Sequence, residues 1–311
     1  MLTVGLIGAG RIGRVHASTI VQDEGSQLVA VADSVDENAK NLAKLYKVNP
    51  RSVDAIFEDN SIEAILIASS TDTHSDFIEK ASIAGKAILC EKPVDLSLAR
   101  AKRCLENTKS NEHSIMMGFN RRFDPNFVAL KNALDGGEIG TAELLSITSF
   151  DPAPPPIDYV KVSGGIFKDM MIHDFDMANF LYGELPKSVF VSASAIIDKK
   201  IGALGDYDTA VATLKYRDGR LAVIKNSRRA TYGYDQRIEV LGSKGLLQVQ
   251  NMVENSMVKS TEMGVESSKP EYFFLERYKS AYQNEWTAFV TAVKTKTPMP
   301  VSLSDGIAAL A

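Results

Sequence analysis

A glycine loop near the start of the chain constrains the fold more than any other feature. Gly8-Ala9-Gly10-Arg11-Ile12-Gly13 follows an apolar run at 4–7 and leads directly into a segment, 12–21, with helical spacing. A second apolar run, 28–32, ends in Asp33, twenty residues after Gly13. A strand, a glycine turn, a helix and a second strand closed by an acid together form a seat for a dinucleotide. The glycines permit a tight turn and a close backbone approach to a pyrophosphate, which sits on the positive end of the helix. Asp33 is placed to accept hydrogen bonds from the adenosine ribose and would repel a 2′-phosphate, so the loop favours NAD over NADP. Gly8, Gly10, Arg11 and Ile12 are the loop residues expected at the cofactor, with Arg11 at the pyrophosphate.

The pattern continues. Strand-like runs at 64–68, 87–90 and 114–118 alternate with helical spacing at 37–46, 73–84 and 96–107, which predicts a doubly wound parallel sheet. The character changes near residue 120. Asp124-Pro125 is a helix start, with an Asp cap and Pro in the first turn. Beyond it lie long strand-type segments at 142–150, 188–197, 207–216 and 220–227, the last two joined across Asp218-Gly219, a hairpin signal. Segments 236–241 and 246–249 flank Gly242-Ser243-Lys244-Gly245, and one late helix is expected at 275–294. Pro152-Ala153-Pro154-Pro155-Pro156 reads as a stiff loop. The prediction is an α/β chain of two domains: a doubly wound domain at 1–119, and at 120–311 an α+β domain with a large, open, mainly antiparallel sheet.

The bulk properties exclude several classes of partner. A length of 311 residues supplies real cores for two domains. The net charge of -4 leaves no basic footprint for nucleic acid. Cys90 and Cys104 are too few and too far apart for a metal knuckle and read as reduced thiols of a cytoplasmic protein. No apolar run approaches the roughly 18 residues of a membrane span. No basic segment precedes the first strand, so a signal peptide is not expected.

Three further segments carry chemistry. Glu91-Lys92-Pro93 follows the run 87–90, and ligands of an open α/β sheet sit beyond the C-terminal ends of its strands. Pro93 keeps Lys92 out of helical dihedrals. On sequence alone, a surface lysine at a strand end fits equally well. Ser70-Thr71-Asp72-Thr73-His74 also follows a strand end. It is placed to line the nicotinamide side, with Thr71 or Asp72 capping the next helix. The third segment is Asp169-Met170-Met171-Ile172-His173-Asp174-Phe175-Asp176. Asp169 and His173 are four apart, on one face of a helix, and a carboxylate-held imidazole is the usual proton acceptor near neutral pH. Asp174 and Asp176 read as packing groups. A metal held by Asp169, His173 and Asp176 lacks a suitably spaced further His or Cys ligand, so no metal is expected. His16 and His113 read as structural or solvated.

In combination, the glycine loop, Glu91-Lys92-Pro93 and the set Gly164-Gly165, Asp169, His173-Asp174 and Asp176 resemble the Gfo/Idh/MocA oxidoreductases over nearly the whole chain. The segments Met117-Gly118-Phe119-Asn120-Arg121-Arg122-Phe123-Asp124-Pro125 and Asn226-Ser227-Arg228-Arg229-Ala230-Thr231-Tyr232-Gly233-Tyr234-Asp235-Gln236-Arg237 are similar to those of its inositol-oxidising members. The resemblance implies an N-terminal Rossmann domain, and a C-terminal domain whose open sheet packs against other subunits, commonly in a homotetramer. It implies NAD-dependent oxidation of myo-inositol at C2 to the 2-keto inosose, with Lys92, Asp169 and His173 as the catalytic trio. Arg122 and one of Tyr232 or Tyr234 match substrate-contacting positions. Asn120 is expected near cofactor and substrate, Asp151 at the polyol, and Ser70, Thr71, His74 and Glu91 on the cofactor side. Family members usually continue past the segment matching 304–311 with more helix, so the resemblance implies that the helix capped here by Ser304 or Asp305 is either short in this protein or truncated. Two other readings exist. One is a dehydrogenase of another inositol isomer or a pyranose. The other is a non-catalytic NAD(P)-binding regulator, which the intact trio argues against.

Overall fold

The computed structural model describes residues 1–311. They form two compact units, Met1–Phe123 with Ala281–Ala311, and Asp124–Ser280.

In the first unit, strands β1 (Leu2–Ile7), β2 (Ser26–Ala32), β3 (Asn49–Pro50), β4 (Ala64–Ile67), β5 (Ala87–Glu91) and β6 (Ile115–Gly118) alternate with helices α1 (Arg11–Gln22), α2 (Asp36–Tyr46), α3 (Val53–Glu58), α4 (His74–Ile83) and α5 (Leu98–Thr108). The strands pair in parallel in the order β3-β2-β1-β4-β5-β6. Strands covered on both faces become continuous apolar runs; Ile65, Leu66, Ile88 and Leu89 are fully buried. The order reverses between β1 and β4, and the crevice beyond their C-terminal ends is where ligands of such sheets bind. β3 was not expected: it is two residues long and includes Pro50.

The second unit holds α6 (Pro125–Asp135), β7 (Ala142–Phe150), α7 (Ile157–Ser163), α8 (Ile172–Tyr182), β8 (Ser188–Ser194), α9 (Lys199–Ala203), β9 (Thr209–Lys215), β10 (Leu221–Ser227), β11 (Asp235–Gly242), β12 (Gly245–Val249), a hairpin of β13 (Val258–Thr261) and β14 (Gly264–Ser267), and α10 (Phe274–Arg277). Asp124 caps α6 by accepting the Asn126 and Phe127 N–H groups. The main sheet runs β12-β11-β7-β10-β9-β8. It is mixed: β7 and β10 are parallel and the other neighbours antiparallel. Gly219, at φ 97°, makes the β9–β10 turn. Along β9, Ala210, Ala212 and Leu214 are buried while Val211 and Lys215 are exposed, as expected for a sheet covered on one face.

The chain's end corrects the sequence reading in three ways. The expected helix at 275–294 is two helices, α10 and α11 (Lys279–Thr295). The last helix, α12 (Leu303–Leu310), is capped by Ser302 rather than Ser304 or Asp305; Asp305 returns the bond to the Ser302 N–H and completes a capping box. Residues 281–311, expected in the second domain, belong to the first unit, and the boundary falls at 123/124 rather than 119/120. The reason is burial. Trp286, Phe289 and Leu303 are sealed in that unit's core, the Trp286 indole N–H donates to Ser26 Oγ (2.9 Å), and the Met117 N–H donates to the Val301 carbonyl (3.0 Å).

Candidate active site

The glycine loop and Asp33 lie in the first unit. Gly10 is the N-cap of α1 and, having no side chain, provides no side-chain cap. Gly8 has φ +105°, and a Cβ there would fall 2.3 Å from the Ala68 carbonyl oxygen. A Cβ on Gly13 would lie 1.9 Å from the Gly8 oxygen, while nothing lies within 4 Å of that position on Gly10. The loop is therefore tight at Gly8 and Gly13 and open at Gly10. Asp33 is tied to the loop: its Oδ2 accepts the Ala9 N–H (2.6 Å) and its Oδ1 the Val35 N–H (2.8 Å). A carboxylate has lone pairs left over for ribose hydroxyls. These residues fit NAD.

The strand-end loops fall partly as expected. Thr71–Thr73 forms a single 3₁₀ turn before α4, and neither Thr71 nor Asp72 caps a helix; instead Thr73 Oγ1 donates to the Ser70 carbonyl (2.7 Å). His74 is buried, with Nδ1 2.8 Å from the Pro93 oxygen and Nε2 3.2 Å from the Ser69 oxygen. Burial pushes its imidazole below the ordinary histidine range, against the pull of those carbonyls. The ring thus ties the loop after β4 to the loop after β5. Glu91 divides its carboxylate: Oε1 lies 2.7 Å from His16 Nε2, and Oε2 accepts the Lys92 N–H (3.3 Å). The Lys92–Pro93 peptide is cis. Asn120 and Arg121 are buried in the turn Asn120–Phe123. Arg122 Nη2 donates to Asp305 Oδ1 (3.3 Å). Burial would raise the Asp305 carboxyl, but the Arg122 charge and the Ser302 hydrogen bonds hold it below its usual range.

Asp169 and His173 lie in the second unit. The segment expected to be a plain helix opens with a π turn, Phe167–Met171, before α8 begins at Ile172. Such wide turns recur at functional sites, and this one carries Asp169. The glycine pair before it has a clear reason. Gly164 and Gly165 have φ 85° and 81°, and a Cβ on Gly165 would sit 2.6 Å from Asp206 Oδ1, which accepts the Ile166 N–H (2.9 Å). Asp169 Oδ1 accepts from the Tyr159 hydroxyl (2.8 Å), and Oδ2 lies 3.4 Å from Nη2 of the buried Arg228. Asp174 and Asp176 are buried; Asp174 accepts from Ser149 Oγ (2.6 Å) and Asn226 Nδ2 (2.8 Å). Asp151 is clamped through its backbone to Ser227 (2.9 Å) and Ala230 (2.7 Å). Tyr232 is half-exposed and donates to Asp235 Oδ2 (2.5 Å); burial and that bond push its hydroxyl up to about 12. Tyr234 is buried edge-on to Tyr278. No group of three or more His, Cys, Asp or Glu side chains is arranged to hold a metal ion, and no helix is long and apolar enough to cross a membrane.

This architecture is that of known proteins. Residues 2–119 match the model of an oxidoreductase family's NAD-binding Rossmann fold, and 127–248 match the GFO/IDH/MocA C-terminal domain. The chain belongs to the Gfo/Idh/MocA oxidoreductases. It is 49% identical over 307 residues to an inositol 2-dehydrogenase of Rhizobium meliloti (strain 1021), covering 99% of this chain and 93% of that one. It superposes on a myo-inositol dehydrogenase from Corynebacterium glutamicum with TM-score 0.95 and 40% identity, covering 100% of this chain and 93% of the other. A scyllo-inositol dehydrogenase from Lactobacillus casei, solved with bound NAD(H) and scyllo-inositol, aligns with TM-score 0.92 and 27% identity over 100% and 94% of the two chains.

In this Gfo/Idh/MocA oxidoreductase, two side chains at Asp169 escaped sequence reasoning. Tyr159 sits on α7, which directly follows the proline-rich segment 152–156. Arg228 lies in the 226–237 segment that carries the family likeness, but no local spacing links it to a carboxylate 59 residues earlier.

Proposed function

We propose that this oxidoreductase is an inositol 2-dehydrogenase that oxidises myo-inositol at C2 to the 2-keto inosose with NAD. The observation that carries the reading is an NAD-seating glycine loop tied to Asp33, together with Lys92, Asp169 and His173, in a chain 49% identical to an inositol 2-dehydrogenase over nearly its full length. NAD supplies the acceptor for the hydride that leaves C2. His173 takes the proton of the C2 hydroxyl on an imidazole nitrogen, so one C–H and one O–H bond break and a carbonyl forms. Asp169 orients that imidazole and bonds a neighbouring ring hydroxyl, while Tyr159 and Arg228 hold its two oxygens. The Lys92 ammonium stabilises the developing alkoxide, so the chain's own cation polarises the alcohol oxygen. A neutral ring with six hydroxyls needs many polar partners, because each unpaired one costs affinity. Asn120, Arg122, Asp151 and Tyr232 supply them, and Ser70 and Thr71 line the nicotinamide side. Of the two tyrosines, Tyr232 is preferred over the buried Tyr234.

The test is NADH formation across a panel of myo-, scyllo- and chiro-inositol and glucose. Myo-inositol is expected to give the highest kcat/KM. A scyllo-inositol preference would favour the second reading, which the likeness to the Lactobacillus casei enzyme motivates. No turnover despite NAD binding would instead make the chain a regulator. We further propose a cytoplasmic homotetramer assembled through the open sheet of the second unit; a monomer by light scattering would refute that assembly.

A further inference from the structure

Asp169 turns two unlike oxygens to its surroundings, all within the second unit. Its Oδ2 faces the guanidinium of the buried Arg228. Its Oδ1 takes the Tyr159 hydroxyl at 2.8 Å, in a bond open to solvent. A ligand arriving from solvent therefore meets Oδ1 and the Tyr159 hydroxyl together. Tyr159 reaches that oxygen from α7, a short helix between the proline-rich segment 152–156 and Gly164-Gly165. Val160 and Ser163 are the buried residues of α7, whereas Tyr159 is 43% exposed. The Tyr159 ring is thus not core filling: its hydroxyl is seated on a carboxylate while its body is accessible. A phenol has one proton to give and lone pairs to receive. That proton is committed to Asp169, so toward a ligand the phenol oxygen accepts. A carboxylate oxygen likewise only accepts. Two acceptors then stand 2.8 Å apart. Neighbouring hydroxyls of a six-membered ring that are not both axial are gauche, and their oxygens lie about one hydrogen-bond length apart. The two acceptors match such a vicinal diol in spacing and in hydrogen-bonding sense.

We propose that Tyr159 is a specificity-determining residue that touches the polyol and, with Asp169, clamps a vicinal diol. Asp169 Oδ1 accepts the hydroxyl beside C2, and the Tyr159 oxygen accepts the next hydroxyl along the ring. The clamp rests on the reading of Asp169 as a group that bonds an inositol. It takes diequatorial and axial–equatorial neighbours and rejects trans-diaxial ones, whose oxygens lie too far apart. It also gives the site a hand. Myo-inositol has a mirror plane through C2 and C5, and with C2 fixed for hydride transfer the clamp holds one half of the ring, either C3 and C4 or C1 and C6.

The two enantiomers of 4-deoxy-myo-inositol, assayed separately with the full-length wild type and Tyr159→Phe, test it. One enantiomer lacks the hydroxyl assigned to Tyr159, and its mirror image keeps it. The ratio of their kcat/KM values is expected to shift about 3- to 10-fold between wild type and Y159F, the worth of one neutral hydrogen bond. Any loss that acts only through Asp169 falls on both enantiomers and cancels in that ratio. Myo-inositol and 5-deoxy-myo-inositol keep the clamped pair and are expected to lose as much as the enantiomer that keeps it. KM for NAD should stay within about twofold, since the glycine loop and Asp33 are untouched. An unshifted enantiomer ratio overturns the proposal, whatever happens to kcat, because a Tyr159 that merely props Asp169 gives that pattern. Should Y159F not fold, Tyr159→Leu carries the same ratio. A second readout needs no turnover. Calorimetric titration of the enzyme–NADH complex with the same compounds is expected to show the same shift in the ratio of the two Kd values, and an unshifted ratio again overturns the clamp. A wild type that binds myo-inositol but oxidises no polyol removes the dehydrogenase reading alone and leaves this titration to decide the clamp. A wild type that binds no polyol overturns both.

Discussion

His173 and Asp208 show how differently two polar groups of one unit contribute. His173 follows the π turn that carries Asp169, and the chemistry assigned to it is removal of one proton. A positioned general base contributes about 10²- to 10⁴-fold. His173→Ala should therefore lower kcat by about that factor, with NADH affinity by fluorescence titration nearly unchanged; wild-type turnover would place the base elsewhere. Asp208 does no chemistry and holds structure. It accepts the N–H groups of Ile196 (3.0 Å), Ile197 (2.8 Å) and Asp198 (2.9 Å). Burial alone would raise its carboxyl, but those bonds outweigh it and hold the group below its ordinary range. The folded state then binds the proton less readily than the unfolded chain, whose Asp titrates near about 3.9. The stabilisation is complete above that value and is lost as pH falls through it toward the folded-state value. Asp208→Asn should cost about 1–3 kcal/mol at neutral pH, and its gap in melting temperature from the wild type should narrow below about pH 4. A gap that persists into acid would show that the charge is not what matters. At this scale the glycine loop and the Asp33 that follows the second strand are legible in the sequence, because they belong to one local strand–turn–helix–strand unit. The partners of Asp169 are not, since Tyr159 and Arg228 reach it from 10 and 59 residues away.

Elements were legible in proportion to their length and burial. The long strands of both sheets declare themselves, because a strand buried on both faces is a continuous apolar run and a half-buried one alternates. β3, α7 and α9 are too short to carry a period. The π turn is invisible because its residues also suit an α-helix, and only Gly164-Gly165 marks the spot. That pair makes the element testable. Gly165 combines φ 81° with a Cβ position 2.6 Å from Asp206 Oδ1. Gly165→Ala should cost about 1–3 kcal/mol and lower kcat as well, since Asp169 lies one turn on. Loss of stability at unchanged kcat would separate the glycine pair from the site. At the other end of the chain, Ser302→Ala removes one arm of the capping box of α12 and should cost about 1 kcal/mol by thermal melting.

At the scale of the whole molecule, sequence order misleads. The alternating strands and helices end near residue 118, and the patterns suggest that the first domain ends with them. Its core does not. Trp286, Phe289, Val301 and Leu303 are buried in the same unit, and the Met117 N–H on β6 is satisfied by the Val301 carbonyl. Fully burying one such side chain contributes about 1.5–3 kcal/mol, so losing four of them approaches the whole stability of a domain. A fragment ending at residue 123 should therefore be insoluble or molten and bind no NADH, although it contains the whole glycine loop, Asp33 and Lys92. Joining 281–311 to it through a flexible linker should restore a cooperative melt and NADH binding. A well-folded, NADH-binding 1–123 fragment would show instead that α11 and α12 are accessory to the first unit rather than part of its core.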